Sequence, residues 1–194
     1  MLARWAAEDG WEVLVIGDEA DRTLAEEVVR GALDDGLAEA ARAGRREPAA
    51  AWGPDEGRRL DRVDPVSAAP GTVRSVAGQL SVRGLVGLLA GCDAMVGNDS
   101  GPRHLAQAVG TPTVGIFWIG NTVMAAPLGR AEHRIHSGWT THCPVCGTDL
   151  TQLGWTATDC GHVVGLNDAV RPQDVYADVL DLLEARVSEG PARG

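Results

Sequence analysis

The sequence predicts an α/β fold: a Rossmann-like parallel sheet with helices on both faces. Short apolar segments alternate with helical patterns along the 194 residues, which is the order of βαβ units. The clearest unit is Met95–Phe117, which predicts a strand, a polar turn, a helix and a second strand. The length suits one substantial core. We therefore expect a single domain over residues 1–194.

The first half of the chain predicts three helices and two strands. The elements are a short helix closed by Gly10, a strand at 12–17, a helix at 22–43, a strand at 73–77, and a helix at 82–90 capped by Ser81. A helix ahead of the first strand is unusual for a parallel sheet. Core positions are expected at Leu24, Val28, Val29 and Leu33 in the second helix and at Val82, Leu85, Val86, Leu88 and Leu89 in the third.

The sequence of the second half predicts the strands, helices and loops at the carboxyl edge of the sheet. In the central unit, Pro102 fits the first helical position, Gly110 ends the helix, and a strand follows at 113–117. Residues 118–121 are expected to form a loop at that strand's carboxyl end, where ligands bind in open α/β sheets. An edge strand at 133–137 and a last helix at 172–187 follow, with Val175, Val179, Leu182 and Leu183 on its core face.

The turn between the strand and the helix of the central unit is the candidate binding site. The N–H groups near Ser100 and Gly101 begin a helix, and free helix-terminal N–H groups together with the helix dipole attract an anion. Gly101 would let a phosphate approach the backbone, and His104 lies one turn further on. An ordinary βα turn with an exposed histidine fits the same spacing.

Composition narrows the classes of partner and compartment. The net charge of −10 argues against nucleic acid and against an anionic membrane as the main partner. All 17 basic residues are arginine, so chemistry that needs a lysine, such as a P-loop or a Schiff base, is excluded. No signal peptide or integral membrane segment is expected. We predict a cytoplasmic protein whose four cysteines are reduced or bound to metal.

A cysteine-rich stretch follows the predicted edge strand. Cys143 and Cys146 form a CPVCG knuckle, and Cys160 and His162 follow it. These four residues have the ligand types of a tetrahedral structural zinc site. Reduced structural thiols or a redox pair remain alternatives. Spare histidine ligands nearby are His133, His136 and His142.

The central motif also resembles a known family. DSGPRHLAQAVGTP, at 99–112, resembles the D-[ST]-G-x-x-H-x-A-x-A-x-G-x-P signature of glycosyltransferase family 9, the ADP-heptose:lipopolysaccharide heptosyltransferase family. Upstream, GQLSVRGLVGLLAGCDAMVGND, at 78–99, is similar to that family's run into the signature. The resemblance spans Trp11 to about Asn121 in order.

The resemblance implies an architecture and a reaction. The chain would be the carboxyl-terminal, donor-binding domain of a GT-B enzyme, without its first strand and without the amino-terminal acceptor domain. The reaction would be inverting transfer of a heptose-like sugar from a nucleotide diphosphate sugar to a glycan or lipid-linked acceptor. It would need no metal or other cofactor, and its base would lie on the acceptor domain, so no catalytic residue is assigned here. Such an enzyme would be cytoplasmic or peripheral to the inner face of the cell membrane.

The resemblance also implies roles for site residues. Backbone donors at Ser100 and Gly101 and the side chain of His104 would hold the donor diphosphate. Asp99 would contact sugar hydroxyls or fix the turn, because its charge repels a diphosphate. Near the nucleoside, Glu56 and Gly78 are candidates, although Glu56 also fits an exposed carboxylate at a helix start. A non-catalytic nucleotide-binding module and a zinc-stabilised interaction module are the competing functions.

Overall fold

The computed structural model describes residues 1–33, 71–153 and 159–189, with side chains of the last helix described up to residue 186. The chain divides into two compact units, 1–91 and 92–194. The expectation of a single domain over 1–194 stays a prediction.

The first unit contains a two-stranded parallel sheet and three described helices. Their bounds are α1 Leu2–Glu8, β1 Val13–Val15, α2 Arg22–Leu33, β2 Val73–Ser75 and α3 Val82–Ala90. In the sheet, Val13 pairs with Val73 and Val15 pairs with Ser75. Ser81 caps α3 as predicted, because its hydroxyl accepts a hydrogen bond from the amide of Gly84 at 3.1 Å.

The core of the first unit is built from smaller side chains than the sequence pattern predicts. Ala32 is buried with Val73 in one cluster, and Ala25 is buried on the same helix. By contrast, the expected core residues Leu24, Val28 and Val82 are exposed by 62%, 41% and 72%. Those three predictions are wrong. Alanines at the contact let α2 approach α1 and β2 closely, so they occupy the inner face in place of the larger apolar residues.

The second unit carries a three-stranded parallel sheet in the order β3-β4-β5. Its elements are β3 Met95–Asn98, α4 Gly101–Ala108, β4 Thr113–Trp118, α5 Ile119–Ala125, β5 His133–Gly138, a 3₁₀ turn Leu150–Gln152 and α6 Pro172–Glu189. The register aligns Met95 with Thr113, and Thr113 with His133. The strand–turn–helix–strand order of the central unit is as predicted.

One element of this unit differs from the prediction. Ile119–Ala125 forms a helix where a loop was expected at 118–121. Trp118 supplies the reason for a well-defined start, because its carbonyl accepts a hydrogen bond from the Thr122 hydroxyl at 3.2 Å, and its indole donates to the carbonyl of Thr140 at 2.8 Å. These bonds fix the residue that precedes the helix.

The core of the second unit lies beneath β4 and α6. Val114 and Phe117 are fully buried on β4. The predicted inner face of the last helix is confirmed: among its side chains described up to residue 186, the buried apolar ones are Val175, Val179, Leu182 and Leu183. None of the helices in the described part of the chain combines the length and hydropathy needed to cross a bilayer.

Candidate functional site

The amino terminus of α4 lies directly after the carboxyl end of β3. Ser100 occupies the N-cap position in an extended conformation, yet its hydroxyl donates back to the carbonyl of Asn98 at 3.3 Å and does not cap the helix. Among the described residues, no acceptor takes the amides of Ser100 and Gly101. A side chain at Gly101 would meet no atom within 4 Å. Two N–H donors without a protein acceptor among the described residues and open space at Gly101 therefore occur together at this helix terminus.

Asp99, immediately before these donors, is held by the protein itself. Its Oδ1 accepts a hydrogen bond from Nη2 of Arg103 at 2.7 Å, and its Oδ2 accepts from Nδ2 of Asn121 at 3.2 Å. The carboxylate thus links the β3–α4 turn to both α4 and α5. The bond to a guanidinium also compensates its negative charge close to the anion-attracting terminus.

Arg103 is the least expected residue of the site, because its side chain is fully buried. Its guanidinium stacks over the ring of Phe117, 4.6 Å from the centroid, and also donates to the carbonyl of Ala125 at 3.1 Å. Its Nε and Nη1 have no hydrogen-bond partner in the described part of the structure. Sequence reasoning missed Arg103, because a charged residue on a short helix is normally expected in solvent.

His104 lies beside the ion pair of Arg103 and Asp99. Its side chain is half exposed, and its Nε2 lies 3.3 Å from Oδ1 of Asp99. The same ring also approaches Nη2 of Arg103 at 3.1 Å. His104 is therefore available to solvent near the α4 terminus. Asn121, at the end of the loop predicted at 118–121, is the second residue whose contact sequence reasoning missed.

The structure describes only one of the two residues predicted near the nucleoside. Gly78 follows β2 with φ of +69°, and its amide donates to the carbonyl of Gly17 at 3.0 Å. This left-handed backbone conformation favours glycine over residues with a side chain. Glu56 lies outside the described residues. Both roles stay predictions.

The first unit also contains a cleft of about 500 Å³. The cleft is formed by α2, β2 and the segment that follows β2, and none of its lining residues lies at the α4 terminus. The residues that line it are Arg22, Glu26, Val29, Val73, Arg74, Ser75 and Gln79.

The cysteine-rich stretch forms a second cluster of chemically active side chains. The sulfur atoms of Cys143, Cys146 and Cys160 and one ring nitrogen of His162 all lie within 4.8 Å of one another. Hydrogen bonds from the side chain and backbone of Thr148 lower the pKa of the Cys146 thiol to about 6. The sequence spacing had predicted this set of four.

The histidines considered as spare ligands have other partners. His133 Nδ1 lies 3.2 Å from the Thr113 hydroxyl, and His136 Nε2 lies 3.0 Å from a carboxylate oxygen of Asp178. His142 Nδ1 lies 3.1 Å from the hydroxyl of its neighbour Thr141. None of the three belongs to the cluster of four found among the described residues.

The strand–turn–helix order and the motif at its turn define the class to which the chain belongs. A sequence model of glycosyltransferase family 9 (heptosyltransferase) matches residues 50–152, which is more than half of the 194 residues. The chain belongs to glycosyltransferase family 9, as its motif predicted.

Particular relatives place the chain within that family. It is 30% identical over 77 residues to the lipopolysaccharide core heptosyltransferase OpsX of Haemophilus influenzae, a match that covers 39% of this chain and 22% of that protein. Its fold is similar to E. coli ADP-heptose LPS heptosyltransferase II, with a TM-score of 0.58, 21% identity, and coverage of 97% of this chain and 40% of that one. The family 9 glycosyl transferase of Veillonella parvula gives a TM-score of 0.59 at 14% identity, with coverage of 95% and 40%.

The two structural similarities show the fold alone, and this chain covers only part of each of those proteins. Together with the parallel strands of both units, they confirm the predicted α/β Rossmann-like class. The chain spans less than half the length of each of these relatives. Activity, substrates and partners of a whole enzyme are therefore matters for proposal.

Proposed function

We propose that this chain binds the sugar donor of an inverting, metal-independent glycosyltransferase. The donor is a nucleotide diphosphate sugar with a heptose-like sugar, and the acceptor is a glycan or a lipid-linked glycan bound elsewhere in the enzyme. The observation that carries the proposal is the α4 terminus, where the amides of Ser100 and Gly101 lack an acceptor among the described residues and Gly101 faces open space. Membership of glycosyltransferase family 9 supports assigning a nucleotide diphosphate to that terminus.

The chemistry asked of this site is electrostatic. Departure of the nucleotide diphosphate leaves negative charge on the phosphate oxygens, and fixed N–H donors with a helix dipole stabilise such charge without reorganisation. The half-exposed His104 supplies a side-chain donor. No metal is required for this role, since N–H groups of the backbone and of His104 supply the stabilisation.

Asp99 fits this scheme through its ion pair. An uncompensated carboxylate beside the α4 terminus would repel a diphosphate. With Arg103 at 2.7 Å, the local charge is close to neutral, and the helix terminus keeps its attraction for an anion. Both carboxylate oxygens have protein donors, which supports fixing of the turn as the role of Asp99. Contact with sugar hydroxyls would have to use the remaining lone pairs.

The test is calorimetric titration of ADP, GDP and their sugars into the 194-residue chain. We expect Gly101→Val to abolish binding, because a branched side chain would fill the space that a phosphate must enter. His104→Ala should weaken binding by roughly ten- to a hundred-fold, which corresponds to about 1.5–3 kcal/mol for a hydrogen bond to a charged group.

The matched control is Gly31→Val. Gly31 is also a helical glycine, and a side chain built there would meet no atom within 4 Å, but it lies in α2, outside the proposed site. The Gly31→Val variant should therefore bind nucleotide as tightly as the unaltered chain. Unchanged affinity in both Gly101→Val and His104→Ala, with folding verified by circular dichroism, would place the anion elsewhere.

A further inference from the structure

We propose that Cys143, Cys146, Cys160 and His162 bind one structural Zn²⁺ ion. The four side chains come from a single stretch of the second unit between β5 and α6. Their ligand atoms lie within 4.8 Å of one another. Three thiolates and one imidazole are a ligand set that selects tetrahedral zinc over the harder cations.

One distance within the cluster is that which a tetrahedral ion imposes. With metal–sulfur bonds of about 2.3 Å and a metal–nitrogen bond of about 2.0 Å, ligand atoms stand about 3.5–3.8 Å apart. Sγ of Cys143 and Nδ1 of His162 are 3.7 Å apart. All four ligand atoms lie within 4.8 Å of one another, so movements of about 1 Å or less would bring them to tetrahedral spacing.

Backbone geometry prepares both ligand pairs. After Cys146, Gly147 has φ of +77° and donates its amide to the carbonyl of Cys143 at 2.9 Å. The amide of Cys143 in turn donates to the carbonyl of Thr148 at 2.8 Å, which closes the knuckle. Between the other two ligands, Gly161 has φ of +69°. Glycine at these left-handed positions lets the chain reverse tightly at each ligand pair.

The competing explanations account for less of this arrangement. A disulfide joins two sulfur atoms about 2.05 Å apart and leaves the third thiol and the imidazole without a role. Buried structural thiols would lie in an apolar core, but of these four residues only Cys143 is buried, and Cys146 and His162 are exposed. Four soft donors gathered at a partly open surface fit a metal ion, which can enter from the exposed side.

The decisive measurement is the metal content of the full 194-residue chain, purified without chelators and analysed by plasma mass spectrometry. We expect about one zinc ion per chain. Cobalt reconstitution should give the intense visible bands of tetrahedral thiolate coordination. His162→Ala and Cys160→Ser should each lose the zinc, and a chelator should lower the melting temperature of the unaltered chain but not that of His162→Ala.

Cys92→Ser is the matched control, because Cys92 lies outside the cluster and should leave the zinc content unchanged. His162 is exposed, so His162→Ala tests the site without emptying a core position. Three outcomes would overturn the proposal: a zinc-free chain that takes up no added Zn²⁺, a mass two hydrogens lower that reports a disulfide, or full zinc retention in both ligand variants. Each of these outcomes leaves the proposed donor site at α4 unaffected, so the two proposals fail separately.

Discussion

Breaking the buried ion pair between Arg103 and Asp99 should be among the most destabilising polar changes in the second unit. Arg103 is fully buried and Asp99 is 13% exposed, with 2.7 Å between Nη2 and Oδ1. At that distance, an effective dielectric constant of about 20 gives a gross attraction of about 6 kcal/mol. Desolvation offsets part of it, and two further guanidinium nitrogens already lack partners among the described residues.

The single changes leave a charge without its counterpart. Arg103→Met leaves the Asp99 carboxylate with weaker neutral donors, and Asp99→Ala leaves a guanidinium in the core. We expect each to lower the free energy of unfolding by about 3–5 kcal/mol. The double variant should cost less than the sum, with a coupling energy of about 2–3 kcal/mol. Urea unfolding of all four proteins, with the m-value checked for each, measures this cycle.

A matched pair exists on the surface. Arg171 and Asp174 are also an arginine and an aspartate at 2.7 Å, with a second hydrogen bond at 2.8 Å, but their side chains are 72% and 43% exposed. The equivalent cycle, Arg171→Met with Asp174→Ala, should give a coupling energy of only about 0.2–1 kcal/mol, because water screens the pair. Equal coupling in both cycles, or strictly additive effects at Arg103 and Asp99, would refute the reasoning that burial sets the strength of this contact.

Three further outcomes are expected. Gly115→Ala should lower the free energy of unfolding by about 1–3 kcal/mol, because its new methyl group would lie 2.5 Å from the buried ring of Phe117. Gly101→Ala is the control, because a methyl group there meets open space and should be tolerated. Thermal unfolding compares the two variants, and equal melting temperatures would count against the packing argument. Ser81→Ala should cost about 1 kcal/mol by leaving the Gly84 amide without its cap, and an unchanged urea midpoint would show that the cap is not a stabilising contact. The 194-residue chain alone should transfer no sugar, because the acceptor site and base are expected elsewhere, and robust turnover with any nucleotide sugar would contradict that expectation.

Local sequence rules predicted much of the fold. Ser81 and the helix Val82–Ala90 agree with the structure to the residue, because capping chemistry is a local signal. The β3–α4–β4 unit was predictable for the same reason, since Pro102 and Gly110 mark both helix ends. The cysteine cluster could also be predicted, because ligand identity and spacing are themselves the signal.

The errors arise where tertiary packing overrides local pattern. Leu24 and Val28 have core spacing, yet alanines on α2 make the close contacts. Arg103 gave no signal at all, because its burial depends on Phe117 from β4 and on a carbonyl from α5. Contacts that join three elements cannot be found from the spacing within one of them.

The buried guanidinium has an evolutionary consequence. All 17 basic residues are arginine, and at exposed positions such a bias needs only a preference in composition. At Arg103, however, Nη2 donates to both Asp99 and the Ala125 carbonyl while the planar guanidinium stacks on Phe117. A lysine ammonium is a compact, strongly hydrated charge that offers no flat face to stack on the Phe117 ring. In relatives that use lysine freely and keep this ion pair, arginine should therefore persist here while other basic positions drift to lysine.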